Sequence, residues 1–110
     1  MLVQVWVTIP AEQADGLAKM LLEERVCACV NVVPRVRSHY WWDGKIESSD
    51  EAMLCIKTKD SLFGRVKEMI GNNHPYEVPE IIGVRIDSAH KPYLDWVNKE
   101  ANAAPYTREP

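Results

Sequence analysis

Three groups of side chains in this sequence carry candidate chemistry. Cys27 and Cys29 sit at i, i+2 in a run of strand-forming residues, which puts two sulfurs about 7 Å apart on one strand face. Soft thiolates in such a pair suit Cu(I) or zinc once a third ligand converges. The Cys-x-Cys spacing is not that of a structural zinc knuckle, however, and free cysteine is among the most often buried residues, so core packing competes with ligation. The second group is the connection His74-Pro75-Tyr76-Glu77-Val78-Pro79-Glu80, in which two prolines stiffen a loop bearing an imidazole, a phenol and carboxylates. Positioned loops of this kind concentrate function, although His-Pro after a helix is also an ordinary stop signal. The third group, Glu47, Asp50 and Glu51 near Lys57, reads as a solvated strand face more readily than as an acid/base pair. His39 and His90 read as surface histidines.

Known catalytic patterns are missing: there is no nucleophile elbow, no Gly-rich phosphate loop and no His-Glu-x-x-His. The reading is therefore of a protein that is not an enzyme. At 110 residues with 46% hydrophobic content, a single domain with a real core is expected, over residues 1–101, followed by a weakly patterned tail at 102–110. A net charge of -3 and interspersed basic residues argue against nucleic acid as a partner. No apolar run approaches the ~18 residues of a membrane span, and the opening Leu-Val-Gln-Val-Trp-Val-Thr-Ile-Pro is strand-like rather than a signal peptide. With an odd number of cysteines, three, reduced thiols and a cytoplasmic location are expected.

The element that must position these groups is the stretch Val26–Lys59. It reads as two long strands joined at Asp43-Gly44, because a type I′ turn needs positive φ at both central residues. The first strand alone, Val26–Trp42, would span about 55 Å if straight, against a radius of gyration of about 13 Å for a domain of this size. The hairpin must bend or protrude, and an arm tipped with Tyr40, Trp41 and Trp42 exposes an apolar patch that a neighbouring copy would cover. A two-residue turn pairs Trp42 with Lys45 and Tyr40 with Glu47, whereas the apolar sets Ala28, Val30, Val32 and Ala52, Leu54, Ile56 share a face only if even pairs with even. One residue must therefore be bulged out, at Pro34 or at Ser48-Ser49-Asp50. Cys27, Cys29, Asn31, Met53, Cys55 and Lys57 then share the face opposite the valines.

Around the hairpin, Leu2–Thr8 reads as an interior strand. Ala14, Leu17, Ala18, Leu21 and Leu22 follow the spacing of one buried helical stripe to about Arg25, with Gly16 marking a close backbone approach. A second helix, capped by Asp60 or Ser61, carries Leu62, Phe63, Val66, Met69 and Ile70 and ends in a left-handed cap at Gly71-Asn72-Asn73. Ile81–Ile86 is the last main strand, and a helix from Ser88 carries Tyr93, Leu94, Trp96 and Val97. The order β-α-β-β-α-β plus a terminal helix is an α+β, ferredoxin-like βαββαβ sandwich with a long protruding hairpin.

With these residues in place, the chain resembles the CutA family, the divalent-cation tolerance proteins. The resemblance rests on Thr8-Ile9-Pro10, Ala28-Cys29-Val30-Asn31, Ser38–Ile46, Glu51, Ile56-Lys57-Thr58, His74–Ile82 and Tyr93-Leu94-Asp95-Trp96. It implies a PII-like homotrimer with hairpins engaging neighbouring subunits, and a role in tolerance of copper and other divalent metal ions, with no organic cofactor. Family members proposed to bind copper have a cysteine before the Thr-x-Pro element and a histidine before His-Pro-Tyr; here those positions are Val7 and Asn73. His74 and Cys29 remain as the family-matched ligands for Cu or another divalent ion. The alternative is a signalling module whose inter-subunit cleft, lined by Tyr40, Trp42, Glu51, Lys57, Tyr76 and Glu77, takes a small anionic ligand or a protein partner.

Overall fold

The computed structural model describes residues 1–105. Strand β1 (Leu2–Ile9) leads into helix α1 (Ala11–Glu23), then the paired strands β2 (Cys29–Trp42) and β3 (Lys45–Lys59), helix α2 (Phe63–Asn73), strand β4 (Ile82–Arg85) and helix α3 (Lys91–Glu100). The four strands form one antiparallel sheet in the order β2-β3-β1-β4.

Side-chain alternation decides the layers. Val5, Val7 and Ile9 of β1 lie opposite Ile56, Leu54 and Ala52 of β3, and all six are buried against α1 and α2. Helix α1 contributes Ala14, Leu17, Ala18 and Leu21 to that core, and α2 contributes Val66 and Ile70. Each large aliphatic side chain buried in this way stabilises the fold by about 1.5–3 kcal/mol. On the other face, α3 packs against β3 near Cys55 and covers part of the sheet that two helices alone would leave open.

Along the hairpin the expected register holds. Trp42 pairs with Lys45 and Tyr40 with Glu47 at the tip; Val30 pairs with Ile56 and Val32 with Leu54 at the base. The shift between the two lies at Val33–Val36, where Pro34 has no N–H to give a ladder. Asp43 and Gly44 both take positive φ, 52° and 77°. Beyond Ala52, β3 has no partner on β1, so from Val36 and Glu51 outward the hairpin is a two-stranded arm.

Several local expectations fail for identifiable reasons. The first hairpin strand begins at Cys29, not Val26, because α1 closes first. Arg25 turns left-handed with φ 60°, the Arg25 N–H donates to the Leu22 carbonyl and the Val26 N–H to the Leu21 carbonyl. This pair of bonds is the Schellman arrangement, with arginine where glycine is usual. Val26 and Cys27 consequently drop into the core, so Cys27 does not share the face of Cys29. Leu22 is 38% exposed, and Gly16 has open space where a Cβ would project, so it marks no close approach. No side-chain cap starts α2, which is preceded by a 3-10 turn at Asp60–Leu62. Its far end runs through Asn73 into extended His74 without a left-handed residue, the Asn73 side chain donating to the Met69 carbonyl instead. Helix α3 begins at Lys91, with Pro92 in its first turn. Of the expected tail, Ala103 packs against the core and its N–H donates to the Arg25 carbonyl, while Arg65 donates to the Ala104 carbonyl; residues 106–110 lie outside the described residues.

Candidate functional site

The loop after α2 is tied to the sheet through His74. Its Nδ1 accepts the Tyr76 N–H at 3.1 Å, so the ring proton sits on Nε2, which donates to the Thr8 carbonyl at 2.7 Å. The two rings pack at 4.7 Å between centroids. From there the Tyr76 hydroxyl donates to Glu51 Oε2 at 2.8 Å, and Glu51, on β3 just where the arm leaves the body, is only 3% exposed. Burial, then the hydrogen bond to Glu51 and its charge, push the Tyr76 phenol up to about 12. One chain of contacts thus links β1, the loop and the base of the arm.

Between the loop and the arm lies a cleft of about 730 Å³ lined by Thr8, Ser38, His39, Tyr40, Trp41, Trp42, Met53, Tyr76, Glu77, Val78 and Glu80. Of the six residues expected at an inter-subunit cleft, Tyr40, Trp42, Tyr76 and Glu77 line this cleft within one chain, and Glu51 is held by Tyr76 beside it. Lys57 is elsewhere: it lies opposite Cys29 near the base of the hairpin, and its ammonium donates to Asn31 Oδ1. Without it, the charged lining among the described residues is Glu77 and Glu80. The cleft combines aromatic faces with carboxylates, an environment that favours cations over anions.

His74 and Cys29 do not converge. Thr8, which holds His74, lies opposite Met53 on β3, whereas Cys29 lies opposite Lys57. Four residues of strand separate those points, on the order of 13 Å, and β1 and β2 flank β3 on opposite sides. Both nitrogens of His74 are engaged, so a metal would have to displace one of these bonds. Among the described residues no three His, Cys, Asp or Glu side chains gather as a metal centre. The donor set His74 plus Cys29 therefore does not fit one ion.

A different cluster surrounds Cys29. Its thiol is directed at Asn31 Oδ1 at 3.7 Å, Lys57 reaches the same oxygen, and the Tyr93 phenol of α3 is within hydrogen-bonding reach of Cys29. Burial pushes the Cys55 thiol up, with Lys57 opposing. Cys27, in the core, is pushed up to about 12, mostly by burial. The sequence carried no signal for the Thr8 carbonyl, since any residue supplies one, and Tyr93 was legible only as part of a helical stripe. Asn31 stood in a recognisable motif but with no assigned partner.

Comparison with known proteins places this geometry. The family model described as CutA1 divalent ion tolerance protein matches residues 3–100. The divalent-cation tolerance protein CutA of Thermus thermophilus is 42% identical over 96 residues, 86% of this chain and 93% of the relative. The chloroplastic CutA 1 of Oryza sativa is 42% identical over 94 residues, 84% of this chain. This chain spans about half the length of the plant and mammalian relatives it matches. Among solved structures, the periplasmic divalent cation tolerance protein CutA of Archaeoglobus fulgidus superposes with a TM-score of 0.90 at 34% identity, covering 93% of this chain and all of that one. CutA1 of Oryza sativa superposes at 0.87 with 40% identity, over 91% of this chain and 92% of that one. With most of its length matched by the family model, by sequence relatives and by solved structures alike, the chain belongs to the CutA1 divalent ion tolerance protein family.

Proposed function

We propose that this protein serves in divalent-cation tolerance as a ferredoxin-like, PII-like homotrimer, and that the cleft between arm and loop is its recognition site, taking a positively charged group or a hydrated divalent ion. The observation that carries the reading is the cleft itself, with aromatic side chains from the arm facing Glu77 and Glu80 from the loop. The βαββαβ order and the strand order β2-β3-β1-β4 support the ferredoxin-like assignment. Support for the trimer comes from the arm tip, where Trp41 is 72% and Ile46 67% exposed; a patch of this kind is what a subunit contact buries. A divalent ion, Cu(II) included, binds His74 or Cys29 only singly, hence weakly. An anionic ligand is disfavoured by the carboxylates. Three free thiols support a cytoplasmic location, although relatives carry the names chloroplastic and periplasmic; no helix among the described residues is long and apolar enough to cross a membrane.

The test is calorimetric titration of the untagged protein with divalent cations and with an organic cation, alongside Glu77→Gln and Trp42→Ala variants. Loss of binding in these variants with retention in His74→Ala and Cys29→Ala is the expected result. Binding that survives both cleft substitutions and disappears in His74→Ala overturns the assignment. Light scattering should report three times the 12.6 kDa chain mass; a monomer ends the trimer reading.

A further inference from the structure

Cys29 has a sulfur neighbour that its position in the sequence does not reveal. Because Cys29 lies opposite Lys57 and Asn31 opposite Cys55, Cys29 and Cys55 are diagonal neighbours on the same face of adjacent strands. Diagonal Cβ atoms are about 7 Å apart, too far for a disulfide, which needs about 4 Å. The spacing does suit two sulfurs gripping one soft ion: two metal–sulfur bonds of about 2.3 Å put the sulfurs about 4 Å apart, and one C–S bond from each side closes most of the remainder. Cys29 is partly accessible and Cys55 buried, so the pair opens for entry on the Cys29 side, where the Tyr93 phenol is within hydrogen-bonding reach of the thiol.

We infer that Cys29 and Cys55 form a two-sulfur site for a soft monovalent cation of the Cu(I) class, separate from the arm–loop cleft. Charge selects the oxidation state. Two thiolates carry minus two and the adjacent Lys57 ammonium plus one, so a monovalent ion makes the set neutral, whereas a divalent ion leaves an uncompensated positive charge at a half-buried position. Ligand number agrees, since a divalent zinc centre calls for four donors and no further His, Cys, Asp or Glu joins the pair among the described residues. Thiolate softness favours Cu(I) over hard divalent ions. On binding, each thiol gives its proton to solvent as its metal–sulfur bond forms; neither sulfur nor copper changes oxidation state. Cys27 takes no part, because it sits in the core on the other side of the sheet from this pair.

Anaerobic titration of the full chain with Cu(I) against a competing Cu(I) chelator tests this. One ion per chain should be retained, and X-ray absorption should show two sulfur neighbours. Since loss of even an outer-shell partner costs 10–100-fold, removal of a direct ligand in Cys29→Ser or Cys55→Ser should weaken retention by roughly 100-fold or more. Cys27→Ser, His74→Gln and Glu77→Gln should retain the ion, which separates this site from the cleft. Undiminished retention in Cys55→Ser, or dependence on Cys27 or His74, overturns the inference. Should Cys55→Ser fail to fold, absorption spectra of the unaltered protein decide, and nitrogen or oxygen neighbours in place of the two sulfurs refute it.

Discussion

Replacing Tyr76 with Phe deletes one hydroxyl and leaves its ring packed on His74. The hydroxyl donates at 2.8 Å to Glu51, a carboxylate only 3% exposed. Hydrogen bonds to charged groups contribute about 1.5–3 kcal/mol, and an abandoned buried acceptor costs its desolvation. Tyr76 itself is 38% exposed, so water can partly replace the lost donor, and the lower end, about 1.5 kcal/mol, is expected. For a domain of this size that corresponds to a fall of roughly 6–12 °C in Tm. The assay is urea or thermal unfolding at fixed protein concentration, because subunit association makes Tm concentration-dependent. In a Glu51→Gln background the neutral amide oxygen demands less, so the same substitution should cost at least about 0.5 kcal/mol less. A cost below about 0.5 kcal/mol in the native background, or no coupling to Glu51→Gln, would refute the claim that this bond anchors the loop. A pH arm adds a sign. The phenol pKa is raised from 10.0 to about 12 in the folded protein, so its contribution is complete below pH 10 and is lost as pH rises through about 12. The Phe variant should show a shallower alkaline loss of stability.

Other outcomes follow from single contacts. A Cβ at Gly83 would stand 2.7 Å from Phe63 Cε1, so Gly83→Ala should cost about 1–3 kcal/mol in denaturant unfolding, and Phe63→Leu in the same chain should recover part of it. At the left-handed Arg25, Arg25→Val should be less stable than Arg25→Gly by about 1–2 kcal/mol; the exposed ion pair to Glu100, lost equally in both, cancels from the comparison. Iodoacetamide at neutral pH should label Cys29 well before Cys27, whose thiol is 2% exposed and pushed up to about 12, as peptide mass spectrometry will show. Trp41→Glu should lower the mass seen by light scattering by charging the exposed arm tip.

Pattern and turn chemistry were enough to settle the hairpin and the core. Asp43-Gly44 demanded a left-handed turn, Pro34 could not stay in a ladder, and the clash of register between tip and base required one bulge; all three are local or arithmetic properties of the chain. The same holds for the apolar stripe of α1, Leu22 excepted, and for placing Cys29 and Cys55 on one face. What tertiary structure alone decided is where chain segments distant in sequence meet. A helix that closes at Arg25 rather than running into a strand sent Cys27 inward, and no periodicity distinguishes those outcomes, because the cap is made by backbone bonds available to any residue. His74 found the Thr8 carbonyl, 66 positions away, and Lys57 stands at the hairpin base, away from the loop, where it donates to Asn31. Sequence names the donors and acceptors, whereas the sheet order and the path of the loop choose which of them become partners.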